Sequence, residues 1–561
     1  MRLLIYVALA MVVLMSNSAS ALNNACDMDY VQLQGASIVV EPTGVDDTLN
    51  LQCAADEAVG QAIQKIKLSK GSFWISSLTI AEFNGTLSGV SKDKTELTII
   101  DQSVDCQSQE SGGSLPSAIA FIRGSPRLQN ITISADFICA ETGDVTPALV
   151  SFSGTPTGTE DCSDDVVFGV IDRVTLNTSV PESIGVIAIP TGYALGGCKQ
   201  TLLGTLKINR SEFTGFRRGV FSSLRGGAQV DINYSTFEDN FADIVLPNTN
   251  QSTSILGNRF YGATQESPGY VSVSIVTDGE NAPGRTRFTV ARNTFDIRGL
   301  GTTDASTPVG LYVAQLGPIV DLSVSIFENR FLLGDEALGV VTEAVDAGSI
   351  SKNSFAGNGG AAVALGIGET PTSDWVITSN TFSGSAGIAL YNTANAIIGP
   401  GQTTTILDEG RNSVILPLEQ RPAGNGDSLQ VSMPAEPNNA NFMASEVTTP
   451  VAVVGHLSDI YDEDWIQLTP SGRELNINFQ AELGKENATW QVEWFGPNGP
   501  DCSTGGDITL SKRNISPKEG GFSYLIPTPC PGYSHKVVIR AFGPQEFLFD
   551  DSQYVLTIVP E

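Results

Sequence analysis

One short unit recurs along this 561-residue chain: an apolar residue, an Asn, a Phe two places later, then Gly and a short apolar run. It is clearest in "SILGNRFYG" (Asn258, Phe260), "TVARNTFDIRG" (Asn293, Phe295), "SIFENRFLLGD" (Asn329, Phe331), "SISKNSFAGNGGAAVALGIG" (Asn353, Phe355) and "VITSNTFSGS" (Asn380, Phe382). Two degenerate copies precede these, "KINRSEFTGF" (Phe213) and "DINYSTFEDN" (Phe237). Successive Phe positions are separated by 24, 23, 35, 36, 24 and 27 residues. A minimum period with occasional insertions is the mark of a solenoid whose extra residues leave one edge of the coil as loops. After each Phe a polar, Gly-rich turn leads to another apolar strand, such as "GVFSS", "GLYVAQ", "GVVTEA", "AAVALG" and "GIALYN". In stacked coils the Phe rings would lie one above another at the inter-strand spacing of about 4.8 Å. The Asn would sit in a tight bend, where it tolerates unusual dihedrals and hydrogen-bonds the backbone or the Asn above it. Both residues are therefore read as structural.

A chain of this length exceeds one ordinary core, so either several domains or a repeat must bury its apolar surface. Upstream of the repeats, "LNLQCAADEAVGQAIQKIK" places Leu51, Ala55, Ala58, Val59, Ala62, Ile63 and Ile66 at helical spacing, with Lys at the end where it favours the helix dipole. Short strand-like runs follow at once in "SFWISSLTIAEFNGTLSGVSKDKTELTIID". A helix ahead of such strands suits a cap that covers the apolar end of the first coil. Together with the Asn-x-Phe repeats, "SFWISSLTI" and "GTLSGVSKDKTELTI" make the chain resemble the right-handed parallel β-helix proteins of the pectate-lyase-like superfold. The resemblance covers about 50–415. It implies an all-β fold, a right-handed parallel β-helix over 51–415 with an N-terminal capping helix. It leaves function open, because that fold carries lyases, hydrolases, epimerases, tailspikes and binding proteins.

The first residues, "MRLLIYVALAMVVLMSNSASA", read as a secretory signal peptide over 1–21, followed by an N-terminal segment, 22–50, with few strong signals. No later apolar run reaches the length of a membrane span. Eight cysteines lie beyond the expected cut, Cys26, Cys53, Cys106, Cys139, Cys162, Cys198, Cys502 and Cys530, an even number that suits disulfides in an exported protein. Pairing of nearest neighbours, 26 with 53, 106 with 139, 162 with 198 and 502 with 530, is expected because repeat folds keep contacts local. There is no CxxC, and His456 and His535 are the only histidines, so a zinc site has little support. A net charge of -30 argues against nucleic acid and anionic membranes as partners. The charge is uneven: residues 199–298 hold eleven basic side chains against nine acidic ones.

Residues 416–450 are rich in Pro, Gly and Asn and read as a linker. Strand-like alternation in "ELNINFQAEL", "TWQVEWFG", "YSHKVVIRAFG" and "YVLTIVP" then predicts a small β-sandwich over 451–561. "LSDIYDEDWIQLTPSGRELNINFQAEL" and the closing "YVLTIVP" resemble the pre-peptidase C-terminal family of jelly-roll modules. That resemblance makes Asp459, Asp462, Glu463 and Asp464 the place for a calcium ion, against the alternative of a solvated acidic turn.

For the β-helix, the resemblance implies a groove on the outer face of one parallel sheet, with ligand crossing successive coils. Writing each strand after the turn as Gly-in-out-in makes Ile187, Phe221, Val245, Tyr312, Val341, Ala364 and Ala389 the outward row. That row carries no acid, base or His. A polysaccharide lyase would need a basic group to take the proton alpha to a uronate carboxyl. Arg217 and Arg218 are the candidates, with Lys199, Lys207 and Arg225 in support. A glycoside hydrolase would need paired carboxylates. Glu343 and Asp346, after "GVVTEA", are placed to flank a groove. Asp161, Asp164 and Asp165 superficially match a polygalacturonase motif, but its Gly-His-Gly and Arg-x-Lys elements are missing. Phe221 and Tyr312, with Arg225 and Lys199, form the alternative of a ligand-binding surface. Two functions stand: a secreted or surface protein that binds an extended glycan or cell-surface partner without turnover, or a divergent extracellular polysaccharide lyase or glycoside hydrolase. No cofactor other than calcium is implied.

Overall fold

The structure, a computed structural model, describes residues 26–100, 117–135, 147–154, 166–179, 183–189, 203–223, 228–247, 252–262, 270–277, 286–298, 307–315, 322–399, 402, 404–411, 413–415, 431–432, 444–447, 451–457, 463–470, 474–481, 489–497, 502, 507–515, 521–542 and 553–560. The expected signal peptide and Cys106, Cys139, Cys162 and Cys198 lie outside the described residues. Apart from one helix, the regular structure of the described part is strand, and the chain divides into two compact units, Met1–Gln251 and Ser252–Glu561.

The first unit opens on a feature absent from the sequence reading. Val31–Gln34 and Ser37–Val40 form an antiparallel hairpin about Gly35, whose φ of 63° suits the turn. A helix follows at Thr48–Gly60, buries Leu51, Ala54, Ala55 and Ala58, and is tied to the segment before it by a disulfide between Cys26 and Cys53. The helix is shorter than its apolar spacing predicts. Ala62 turns left-handed at φ 54°, and Lys65–Leu68 is already a strand paired with Val40 and its neighbours. The lysines therefore do not end the helix; Ile66 and Leu68 belong to the period-2 pattern of the first coil.

From there each coil contributes to two parallel sheets. The first sheet carries the Phe positions: Leu97, Ile133, Leu176, Phe213 and Phe237 are in successive register, all fully buried. The second sheet holds the apolar strands that follow the turns, here Ile184–Ile189, Arg218–Ser222 and Ala242–Leu246 among others. In this unit Ser takes the place of Asn in the bend: the Ser211 amide donates to the Ser235 hydroxyl oxygen at 3.1 Å, and the Val174 amide to that of Ser211 at 3.2 Å.

In the second unit the repeat is complete. Phe260, Phe295, Phe331, Phe355 and Phe382 are in register, with ring centroids 4.8, 4.5, 4.9 and 5.3 Å apart and nearly parallel planes. Burying each ring contributes roughly 1.5–3 kcal/mol and each stacked pair roughly 0.5–1.5 kcal/mol more. Beside them runs a buried amide ladder. Each of Asn258, Asn293, Asn329 and Asn353 gives its backbone and side-chain N–H groups to the Oδ1 of the next Asn, at 2.8–3.0 Å. The left-handed residue of the bend is not the Asn, as the sequence suggested, but the one before it: Arg292, Glu328, Lys352 and Ser379 have φ of 59, 55, 56 and 55°. The Asn keeps ordinary dihedrals because its side chain faces inward to bond the neighbouring coil.

The Gly opening the second-sheet strand has a steric cause. A Cβ at Gly339 would lie 2.3 Å from the Ala362 carbonyl oxygen and 3.1 Å from the Phe355 ring; at Gly310 it would meet the Gly339 carbonyl at 2.8 Å and Phe331 at 3.1 Å. The stacked Phe and the Gly are thus two halves of one packing solution.

The last strands build two five-stranded sheets around Phe479, Trp494, Ile466, Leu556 and their neighbours. Cys502 and Cys530 are bonded. Two strands fall inside the stretch read as a linker: Val431–Ser432 pairs with Ala452 and Val453, and Ser445–Val447 with Ile466 to Leu468. A smaller apolar cluster joins Ala452 and Val555 of these sheets to Val376, Ile397 and Val414 of the final coils. The outward row there reads Ser254, Thr289, Ser325 and Ser349, then Val376, Ile397 and Val414. It turns apolar in the coils that the C-terminal sheets cover.

Candidate functional site

The outward row of the second sheet is as the Gly-in-out-in pattern predicts. In the first unit Ser151, Ile187, Phe221 and Val245 are in register, and in the second Ser274, Tyr312, Val341, Ala364, Ala389 and Leu407. Most of it is not open surface. Ile187, Val341, Ala364 and Ala389 are 5% exposed or less and pack with Val309, Tyr312, Leu338 and Leu407, or with Ala148, Ile184 and Phe221, into small outer clusters.

The next outward row, two residues further along each strand of the second unit, is where polar chemistry collects. Glu343, Gly366, Tyr391 and Glu409 occupy it on four consecutive coils. The same ladder bond repeats at each step: Gly366 N–H to Thr342 O at 3.0 Å, Tyr391 N–H to Leu365 O at 2.9 Å and Glu409 N–H to Leu390 O at 2.8 Å. An open cleft of about 590 Å³ lies here, lined by Leu338, Gly366, Ile367, Gly368, Tyr391, Asn392 and Glu409. Tyr391 and Ile367 are each more than a third exposed.

Glu343 closes one end of the row. Its Oε2 accepts from the Tyr312 hydroxyl at 2.5 Å, and its Oε1 lies 2.7 Å from where a Cβ on Gly368 would stand. Any side chain at 368, where φ is 135°, would displace that carboxylate. Burial, then the bond to Glu343 and its negative charge, push the Tyr312 phenol well above the usual tyrosine range. Tyr312 is therefore a hydrogen-bond donor, not a base. Asn392 Nδ2 is held by the Glu369 carbonyl at 2.8 Å, which leaves its Oδ1 as the acceptor toward solvent. Among the described residues, the Tyr391 hydroxyl and the Glu409 carboxylate have no partner within the chain, and no Lys, Arg or His lines the cleft.

The sequence-named residues fare differently. Tyr312 and Glu343, named for different roles, meet. Asp346 does not join them: past a corner, it begins the first-sheet strand Asp346–Ser351 and accepts from the Ser373 hydroxyl at 3.1 Å. The proposed Glu343 and Asp346 pair is thereby split between two sheets. Arg217 and Arg218 belong to the first unit. Arg217 is exposed, and the Arg218 guanidinium lies over the Phe221 ring at 5.0 Å, a cation–π contact. Lys207 pairs with Asp231 at 3.6 Å. Lys199 and Arg225, and the acidic loop of Asp161, Asp164 and Asp165, lie outside the described residues, as do Asp459 and Asp462.

The two described members of the expected calcium group do not converge. Glu463 accepts from Arg540 Nε at 2.7 Å and from Trp465 Nε1 at 3.0 Å, whereas Asp464 is buried and accepts from the Tyr554 hydroxyl at 2.6 Å. Successive residues entering a strand face opposite ways, so one ion cannot take both. No group of three or more potential metal ligands occurs among the described residues.

Tyr391, Asn392 and Glu409 were missed. "GIALYN" continued by two residues under the same alternation would have exposed Tyr391, but no Asn-x-Phe follows Phe382 to carry the register on to Glu409.

No protein-family model matches the chain, and no curated protein does. Among solved structures, it is similar to the full-length tailspike protein 2 of Escherichia coli O157:H7 bacteriophage CAB120, at 9% identity over 91% of this chain and 69% of that one, TM-score 0.33. It is also similar to the A-module of an Azotobacter vinelandii mannuronan C-5 epimerase, at 13% identity over 68% and 93%, TM-score 0.34. A third is the tailspike of E. coli bacteriophage HK620, at 10% identity over 93% and 91%, TM-score 0.34. Similarity at this level assigns neither activity nor ligand. The chain's own stacked parallel sheets make it an all-β parallel β-helix protein.

Proposed function

We propose that this is an exported β-helix protein that holds an extended glycan in the cleft on its second sheet without turning it over. The single observation that carries the reading is the in-register row Glu343, Gly366, Tyr391 and Glu409 beside Ile367 and Asn392. An exposed aromatic face, flanked by hydrogen-bonding groups and repeated along the coil axis, is the surface on which a sugar chain lies: rings stack on apolar faces and hydroxyls find acceptors. The two Gly residues of the 366–368 turn let the chain approach the backbone closely.

Spacing supports the reading without turnover. Glu343 and Glu409 stand three coils apart, so their backbones are separated by roughly 14 Å at about 4.8 Å per coil. Paired carboxylates of glycoside hydrolases lie about 5–9.5 Å apart. Among the described residues, the lining also holds no Lys, Arg or His to act as a lyase base. Export is supported by two disulfides, which persist in oxidising compartments. No helix among the described residues is long and apolar enough to cross a membrane.

The test is retention of the full chain in gels containing individual polysaccharides, with Tyr391→Ala as the site variant and product analysis alongside. Retention lost in the variant, with neither unsaturated products nor new reducing ends, is expected. Products that accumulate in proportion to protein would overturn the non-catalytic reading.

A further inference from the structure

We infer that the cleft takes a non-anionic, hydroxyl-donating glycan and turns away polyuronates; this rests on the glycan reading above and adds the ligand's chemical class. The lining carries no cation among the described residues and is rich in acceptors, with the Tyr391 hydroxyl as its free side-chain donor. A carboxylate accepts and does not donate, and two of them, Glu343 and Glu409, bracket the row along which a chain would lie. Glu343 Oε2 is occupied by Tyr312, so its Oε1, packed against Gly368, is the atom left for a ligand. Asn392 turns its Nδ2 to the Glu369 carbonyl at 2.8 Å and the Gly368 carbonyl at 3.5 Å, and presents its oxygen. A ligand that satisfies this set must bring the protons, as sugar hydroxyls do.

Among the described residues, no Lys, Arg or His lines the cleft. Arg411, the basic residue closest in sequence to Glu409, lies past the corner, where its backbone N–H bonds the Thr393 carbonyl at 2.8 Å and its residue bridges Ala394 on the first sheet. Lys352 occupies the left-handed bend ahead of Asn353, also on the first-sheet side. A uronate carboxylate placed along the row would face Glu343 or Glu409 with like charge, in a chain whose net charge is already -30. Gly368, which lines the cleft, is part of the same device: it makes the space in which the Glu343 carboxylate stands beside it.

The experiment compares polyuronates with their own carboxyl-reduced forms, which share length and linkage and differ in charge, alongside neutral glucans and galactans. Mobility of the full-length protein is measured in gels containing each polymer, once with chelator and once with calcium. The expected result is retention by at least one non-anionic polymer, with each polyuronate at least about tenfold weaker than a reduced form that binds, the factor that roughly 1.4 kcal/mol of like-charge repulsion produces. Glu409→Gln should narrow that gap. A polyuronate retained as strongly as its reduced form, in either buffer, with retention lost in Tyr391→Ala, would overturn the ligand class and leave the glycan site standing. If no polymer is retained, or if retention survives Tyr391→Ala, the site itself falls and the ligand class with it.

Discussion

Replacing Asn329 tests whether the amide ladder holds the coils in register. Its Oδ1 accepts from the Asn293 backbone N–H and side-chain amide, each at 3.0 Å, while its Nδ2 donates to the Val290 carbonyl at 2.8 Å and to Asn353 Oδ1 at 3.0 Å. The residue is 2% exposed, so water does not replace these partners. Asn329→Ala orphans two buried donors and weakens two acceptors. At about 1–3 kcal/mol for each of the two orphaned donors, the loss is roughly 2–6 kcal/mol. Asn329→Ser should cost less, roughly 1–3 kcal/mol, because a hydroxyl oxygen can still take the Asn293 backbone N–H. Ser211 and Ser235 do this in the first unit. Asn329→Asp should be the worst of the three: it keeps the acceptor but sets a buried negative charge against the Val290 carbonyl and Asn353 Oδ1. The assay is the midpoint of guanidinium unfolding followed by far-ultraviolet circular dichroism. A loss below about 0.5 kcal/mol for Asn329→Ala, or an Asp variant as stable as the Ser variant, would refute the ladder as a source of stability.

Three further outcomes follow from local geometry. Gly339→Ala should lower the unfolding free energy, read from the same denaturation curves, by roughly 1–3 kcal/mol or more, because the new methyl meets the Ala362 backbone, which cannot rotate away. Glu212 is pushed up by burial, yet its bonds from Lys92 and Thr175 outweigh that and hold the carboxyl below its ordinary 4.5. A depressed carboxylate stabilises the fold above its unfolded pKa and loses that contribution as pH falls through the folded value, so Lys92→Met should flatten the stability profile below about pH 4.5. With both side chains partly exposed, the effect is about 0.2–1 kcal/mol, measured by thermal melts across pH. Tyr312 has the opposite sense: its raised pKa favours the fold below the ordinary tyrosine value, and that contribution disappears only as pH climbs through the folded value. In an ultraviolet titration Tyr312→Phe should remove one late-ionising phenol.

Much of the β-helix was legible because core positions repeat. The Phe must stack and the Asn must bond its equivalent on the next coil, so both recur in the chain, and the Gly follows from the ring beneath it. The helix end at Gly60 was misread because Ile63 and Ile66 fit a helical period and a strand period alike. The early hairpin was missed because four-residue strands carry little signal. In the site, Tyr312 and Glu343 were individually visible, yet nothing in the sequence reading joined residues 31 apart across a coil of variable length. Glu409 was out of reach because the strand at Ile406–Asp408 pairs with Ile388–Leu390, only 18 residues earlier, a spacing that the Asn-x-Phe period does not predict.

The sequence by itself determined which residues face inward, since burial imposes the same few side chains on every coil. Tertiary structure decided which outward residues become neighbours. Outward positions obey no packing rule, and their partners depend on how many residues each coil spends before returning to the sheet. That is why the phenol of one coil meets the carboxylate of the next, and why Tyr391, Asn392 and Glu409 line a single cleft.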